Sequence, residues 1–219
     1  MRMRDRYLKE LEELHTDLKA LGELVVVAIT QAVDALVQQD VAAAELIVAA
    51  DRHIDAAQLV VEEHTLIVMA TQQPIAGDLR RLVAAIGIAS ELERIGDYAK
   101  SIAKITIRNA DLSAVTSLVD LPQMAQGAIT MLRDVLDAFV QSDATVGQRL
   151  SDADDRVDEL RRHIRADLTA AMQRDPAIVP QAVDLLFVAH HLERIADRTT
   201  NIAERLVFMV SGEVIELNP

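Results

Sequence analysis

Apolar residues recur along this chain at intervals of three and four, in six long stretches separated by short polar breaks. That spacing lines one face of an α-helix. The breaks fall at Gln39-Asp40, Gln73-Pro74, Asn109–Pro122, Ser142-Asp143 and Asp175-Pro176. The pattern therefore predicts helices near 4–38, 42–72, 76–109, 119–141, 145–174 and 177–210. Pro176 suits a first helical turn, and Gly212 a stop after the last helix. Stepping the third helix by 100° per residue gives an apolar seam of Ala84, Ala85, Ile88, Leu92, Ile95, Ala99 and Ile102. Arg80, Glu91, Arg94 and Tyr98 form a second face, assigned to solvent. Glu93, Asp97 and Ser101 extend a third stripe. On the second helix the seam runs through Ala43, Ile47, Ala50, Ile54, Ala57 and Val61, with Asp51, Asp55 and Glu62 on a neighbouring stripe. The first helix has an apolar face, from Leu14 to Val37, wide enough for a core and one further contact. A core alone is the simpler reading.

The landmarks occur twice. Leu92-Glu93-Arg94-Ile95-Gly96-Asp97 returns as Leu192-Glu193-Arg194-Ile195-Ala196-Asp197. Ile102-Ala103 returns as Ile202-Ala203, and polar Ser101 as Asn201. Val37-Gln38-Gln39-Asp40 resembles Val140-Gln141-Ser142-Asp143, and Asp51-Arg52-His53-Ile54-Asp55 resembles Asp154-Asp155-Arg156-Val157-Asp158. The expectation is an all-α chain of two tandem three-helix bundles related by internal duplication, residues 1–112 and 113–219. Short connections make successive helices antiparallel neighbours.

Composition narrows the chemistry. The 219 residues include 51% hydrophobic but only 2% aromatic side chains, which disfavours a β-sandwich or barrel. Cysteine is absent, which removes disulfides, thiolate metal sites and a cysteine nucleophile. Thirty-five acids against 22 Lys and Arg leave a net charge of −13, wrong for nucleic acid and right for cations or basic protein surfaces. No apolar leader opens the chain, and the longest stretch free of charged residues, His64–Gly77, is too short to span a bilayer. A cytoplasmic protein is expected.

Two carboxylates four residues apart share a helix face and repel unless a cation joins them. Asp51 and Asp55 with Glu93 and Asp97 would converge in the first bundle, and Asp154 and Asp158 with Glu193 and Asp197 in the second. Such oxygen clusters suit hard cations or iron, and helix bundles build carboxylate metal sites in this way. Composition alone accounts for six acidic pairs at this spacing, but four of the six stand at repeat-equivalent positions. Ion pairing with Arg94 and Arg194, or plain solvation, is the competing reading. The six histidines show no H-x-x-x-H spacing and are read as structural or surface residues; no nucleotide loop or hydrolase motif is present.

Taken together, Arg6-Tyr7-Leu8-Lys9-Glu10-Leu11-Glu12-Glu13-Leu14, Gly22, the Asp40 break, Asp51-x-x-x-Asp55 and the twin Glu-Arg-Ile-Gly/Ala-Asp motifs resemble the PhoU family of bacterial phosphate-signalling regulators, the actinobacterial PhoY branch most of all. The resemblance implies a non-catalytic adaptor that restrains the phosphate-starvation response when phosphate is plentiful. Its implied partners are the ATPase subunit of the phosphate ABC transporter and the sensor histidine kinase of the phosphate two-component system. A homodimer is implied, as is membrane association only through partners. The resemblance also implies iron, zinc, manganese or magnesium on Asp51, Asp55, Glu93, Asp97, Asp154, Asp158, Glu193 and Asp197. Arg165 at the counterpart of Glu62, and Ser101 at that of Asn201, depart from the pattern and predict unequal sites. The alternative is a carboxylate-bridged metalloenzyme on the same bundle, or a helical scaffold whose acids are solvated.

Overall fold

A computed structural model of the chain describes residues 3–109 and 120–217. Six long helices account for nearly all of them: α1 (Met3–Gln38), α2 (Val41–Gln72), α3 (Gly77–Arg108), α4 (Asp120–Gln141), α5 (Val146–Arg174) and α6 (Val179–Ser211). A 3-10 turn, Pro176–Ile178, precedes α6, so the proline begins its own short turn rather than the long helix. The boundary expected near residue 112 lies outside the described residues.

The first turn of each half is built in the same way. Gln39 and Ser142 both adopt left-handed backbone, with φ of 56° and 54°. The next amide reaches back in each: Asp40 N–H donates to Ala35 O at 2.9 Å, and Asp143 N–H to Ala138 O at 2.9 Å. This geometry satisfies the last carbonyls of one helix. Asp40 then caps the start of α2, accepting from Ala43 N–H at 2.9 Å, whereas Asp143 accepts from Thr145 N–H at 2.9 Å within the turn that precedes α5. Asp40 thus ends α1 and starts α2, and the matching turn at Asp143 joins α4 to α5 as tightly.

α1, α2 and α3 pack together, as do α4, α5 and α6, and the trios meet where α1 lies on α4 and α3 on α6. The seam expected on α3 is buried throughout. On α2 the buried line is different. It runs through Ala44, Ile47, Asp51, Ile54, Val61, Thr65 and Val68, while Ala50 is exposed. This is a seven-residue rhythm, the spacing of helices that coil around one another. α5 repeats it position for position with Gly147, Leu150, Val157, Ile164 and Leu168. Asp51 and Asp154 therefore hold matching places on core-facing lines, with Asp51 only 5% exposed.

The α3 face assigned to solvent is instead the surface on which α6 lies, apart from Arg94, which is exposed. Glu91 is buried at 6% and accepts from Arg198 Nη1 at 3.2 Å. Tyr98 stacks at 5.7 Å on His191 and accepts from Arg194 Nε at 3.4 Å. Burial would raise the Tyr98 hydroxyl pKa, but hydrogen bonds from Arg194 and Arg198 bring it below its ordinary value. The pairs Glu91–Arg198 and Tyr98–His191 exchange under the repeat offset, so the α3–α6 contact is a pseudo-twofold crossing. α1 would pass a membrane test on length and composition. Its apolar residues, Leu14, Leu18, Leu21, Val25, Ile29 and Leu36 among them, are buried against three helices.

Candidate metal centres

Each half carries one acidic quartet across a helix pair. In the first, α2 supplies Asp51 and Asp55 and α3 supplies Glu93 and Asp97. Burial raises the Glu93 pKa first, and the charges of Asp97, Asp55 and Asp51 raise it further. The other three acids thus all act on Glu93, as the sequence spacing requires. Lys100 answers that field. Its ammonium donates to Asp51 Oδ2, and to Asp97 Oδ1 at 3.4 Å. The bond to Asp51 is the main reason its pKa lies above the usual lysine value. Ser101 is bonded to its own helix, donating to Asp97 O at 2.8 Å. Glu62 accepts from Gln58 at 2.7 Å instead.

In the second half, α5 supplies Asp154 and Asp158 and α6 supplies Glu193 and Asp197. Asp154 is pushed up to about 6, by burial first and then by Asp197, Asp158, Asp155 and Glu193. Asp197 is raised too, by burial and then by Glu193. The counter-charges here differ from the first half. Arg161 Nη1 donates to Glu193 Oε1 at 2.8 Å, His190 Nδ1 lies 3.0 Å from Glu193 Oε2, and Arg194 Nη1 donates to Asp197 Oδ2 at 3.4 Å. Lys100 has Thr200 as its counterpart, and Arg161 has Gln58. The asymmetry expected between the sites therefore comes mainly from which cation each half carries. Asp158, Glu193, Arg194, Asp197, Arg198, Thr200 and Asn201 line one open depression.

The donor chemistry suits a hard cation: both sets are all-oxygen, and Glu93, Asp154 and Asp197 are held in ionisation-unfavourable surroundings that a divalent charge would relieve. The positions are less complete than the chemistry. Among the described residues, the group of three metal-ligating side chains with donor atoms within 4.8 Å of one another is Glu10, Glu13 and His64, outside both quartets. The quartet oxygens are drawn toward Lys100, Arg161 and Arg194. Sequence spacing could have flagged Lys100, three residues beyond Asp97, but not Arg161 or His64, whose partners sit on other helices.

The PhoU domain profile matches the chain twice, over residues 18–106 and 121–206. The phosphate-specific transport system accessory protein PhoU homolog of Clostridium acetobutylicum is 35% identical over 210 residues, 95% of this chain and 96% of that protein. A protein of the same description from Caulobacter vibrioides is 36% identical over 211 residues, 94% and 90% of the two chains. Among solved structures, PhoU from Pseudomonas aeruginosa superimposes with a TM-score of 0.88 at 28% identity, covering 94% of this chain and all of that one. The phosphate transport system regulatory protein PhoU from Streptococcus pneumoniae gives 0.87 at 31% identity, covering 96% and 99%.

Proposed function

The chain belongs to the PhoU domain family, and from that membership we propose that it regulates phosphate transport as a non-catalytic accessory protein. The observation that carries the reading is the agreement of the whole chain, both halves included, with relatives described as phosphate-specific transport system accessory proteins. Its partners are then the ATPase subunit of the phosphate ABC transporter and the sensor kinase of the phosphate two-component system. Its sense is negative: it holds the starvation response down when phosphate is abundant. Work at a transporter would put it at the cytoplasmic membrane face. A chain of −13 charge is suited to basic protein surfaces and repelled by anionic lipid, which favours attachment through partners.

The quartets are the reading's second part. Asp51, Asp55, Glu93 and Asp97 would hold one cation or cluster, and Asp154, Asp158, Glu193 and Asp197 another, drawn from iron, zinc, manganese and magnesium. A bound cation would supply positive charge where four carboxylates repel, bracing α2 against α3 and α5 against α6. The protein's own groups set the access: Lys100 competes at the first quartet, Arg161 and Arg194 at the second.

Deleting the gene in cells growing on ample phosphate tests the regulatory claim. Alkaline phosphatase and transporter expression should rise to starvation levels and return on complementation. Unchanged output in the deletion strain contradicts it.

A further inference from the structure

A third cluster, outside both quartets, lies between α1 and α2. Glu10, Glu13 and Asp17 project from α1 toward His64 of α2. His64 Nδ1 is 2.8 Å from Asp17 Oδ2, and Nε2 is 3.2 Å from Glu10 Oε2. Burial would lower the His64 pKa, but the hydrogen bonds to Asp17 and Glu10 raise it above its ordinary value, so the metal-free side chain suits an imidazolium that donates from both nitrogens. A divalent ion would take the place of the Nε2 proton, beside Glu10 Oε2, and leave the Nδ1 N–H on Asp17. One donor atom each from Glu10, Glu13 and His64 lie within 4.8 Å of one another, the spread that a single ion can bridge.

We propose that Glu10, Glu13 and His64 Nε2 form a site for a divalent transition ion, zinc foremost, with Asp17 as the positioning residue that fixes the imidazole. A carboxylate on the far nitrogen is the arrangement metal-bound histidines usually carry. His and carboxylate together are zinc ligands, and three protein donors leave a fourth position for water. The nitrogen donor separates this site from the quartets, whose all-oxygen sets favour harder ions. Arg6 at 3.5 Å from Glu10 and Lys9 at 3.1 Å from Glu13 are exposed same-helix pairs. Such pairs are weak enough for a divalent ion to displace.

The test is a zinc titration of the full chain against a chromophoric chelator, with far-UV circular dichroism to verify helicity. The wild type should show one zinc equivalent that His64→Gln loses. Asp17→Asn should keep the stoichiometry and weaken binding by about 10-fold, the scale of outer-shell substitutions. A variant with Glu93→Gln, Asp97→Asn, Glu193→Gln and Asp197→Asn should retain that equivalent. Nitrogen-15 spectra of the unmodified protein give a second readout: stoichiometric zinc should move the His64 Nε2 resonance. An unchanged zinc isotherm in folded His64→Gln, loss of the equivalent in the quadruple variant, or a stationary Nε2 resonance overturns the proposal.

Discussion

Replacing Asp154 by Asn probes how strongly the second quartet works against its own ionisation. Asp154 titrates near 6 in the fold against an ordinary 3.8, because it is half-buried and faces Asp197, Asp158, Asp155 and Glu193. A raised carboxyl pKa means the folded state binds the proton more tightly than the unfolded chain does. Stability from this group is full below about pH 3.8 and is lost as pH rises through about 6. A shift of about two pKa units corresponds to roughly 3 kcal/mol at about 1.4 kcal/mol per unit. The side chain is only partly buried, and solvent screening reduces the figure to about 1 kcal/mol. Asn copies the protonated form. In chelator-treated protein at pH 7.5, Asp154→Asn should therefore be about 1 kcal/mol more stable than wild type, a rise of roughly 2–4 °C in melting temperature for a chain of this length. At pH 3, below both pKa values, the two should melt together. Thermal melts at both pH values, with an NMR titration of the Asp154 carboxyl, measure this directly. Equal destabilisation at both pH values, or a carboxyl that titrates near 4, would refute the reasoning.

Two further substitutions test the joins between halves. A Cβ at Gly22 of α1 would overlap the Leu136 side chain of α4. Gly22→Ala should lose about 1 kcal/mol in urea unfolding, an overpacking cost only partly offset by the better helix propensity of alanine. In a Leu136→Ala background the same change should turn stabilising by about 0.5 kcal/mol, the propensity gain alone; no sign reversal would remove the close α1–α4 contact. Glu91→Gln keeps the shape but strips the charge facing Arg198 at 3.2 Å. Leaving that half-buried arginine without its carboxylate should cost about 2 kcal/mol, and a change below about 0.5 kcal/mol, the scale of ordinary surface substitutions, would show the pair to be incidental.

Much of the architecture was legible because the chain marks its own helix ends. Gln39-Asp40 and Ser142-Asp143 each stop a helix, Asp40 caps the next, and the expected spans 42–72 and 145–174 fall within one residue of Val41–Gln72 and Val146–Arg174. The duplication was legible from the twin Glu-Arg-Ile motifs, and the buried lines of α2 and α5 repeat it. Asp51 was placed beside the core rather than in it because apolarity alone selects Ala43, Ala50 and Ala57 between Ile47, Ile54 and Val61, whereas the fold sets Ala44 and Asp51 inward at the same seven-residue spacing and pairs Asp51 with Lys100 of α3. Glu91 and Tyr98 read as solvent-facing because a single helix carries no mark of what lies against its polar side. Here α6 does, and its Arg194 and Arg198 complete the polar contacts. Counter-ions were the least legible part. Arg161 reaches Glu193 across 32 positions, and His64 reaches Asp17 across 47, and no local spacing encodes such pairs.

That cations occupy two equivalent acidic quartets is tested most directly by anomalous diffraction from crystals of the chain grown with manganese. The account predicts an anomalous peak at each quartet, one between Asp51, Asp55, Glu93 and Asp97 and one between Asp154, Asp158, Glu193 and Asp197, with Lys100 and Arg161 swung away from Asp51 and Glu193. Peaks at neither quartet, with those two cations still seated on the carboxylates at saturating manganese, would contradict it.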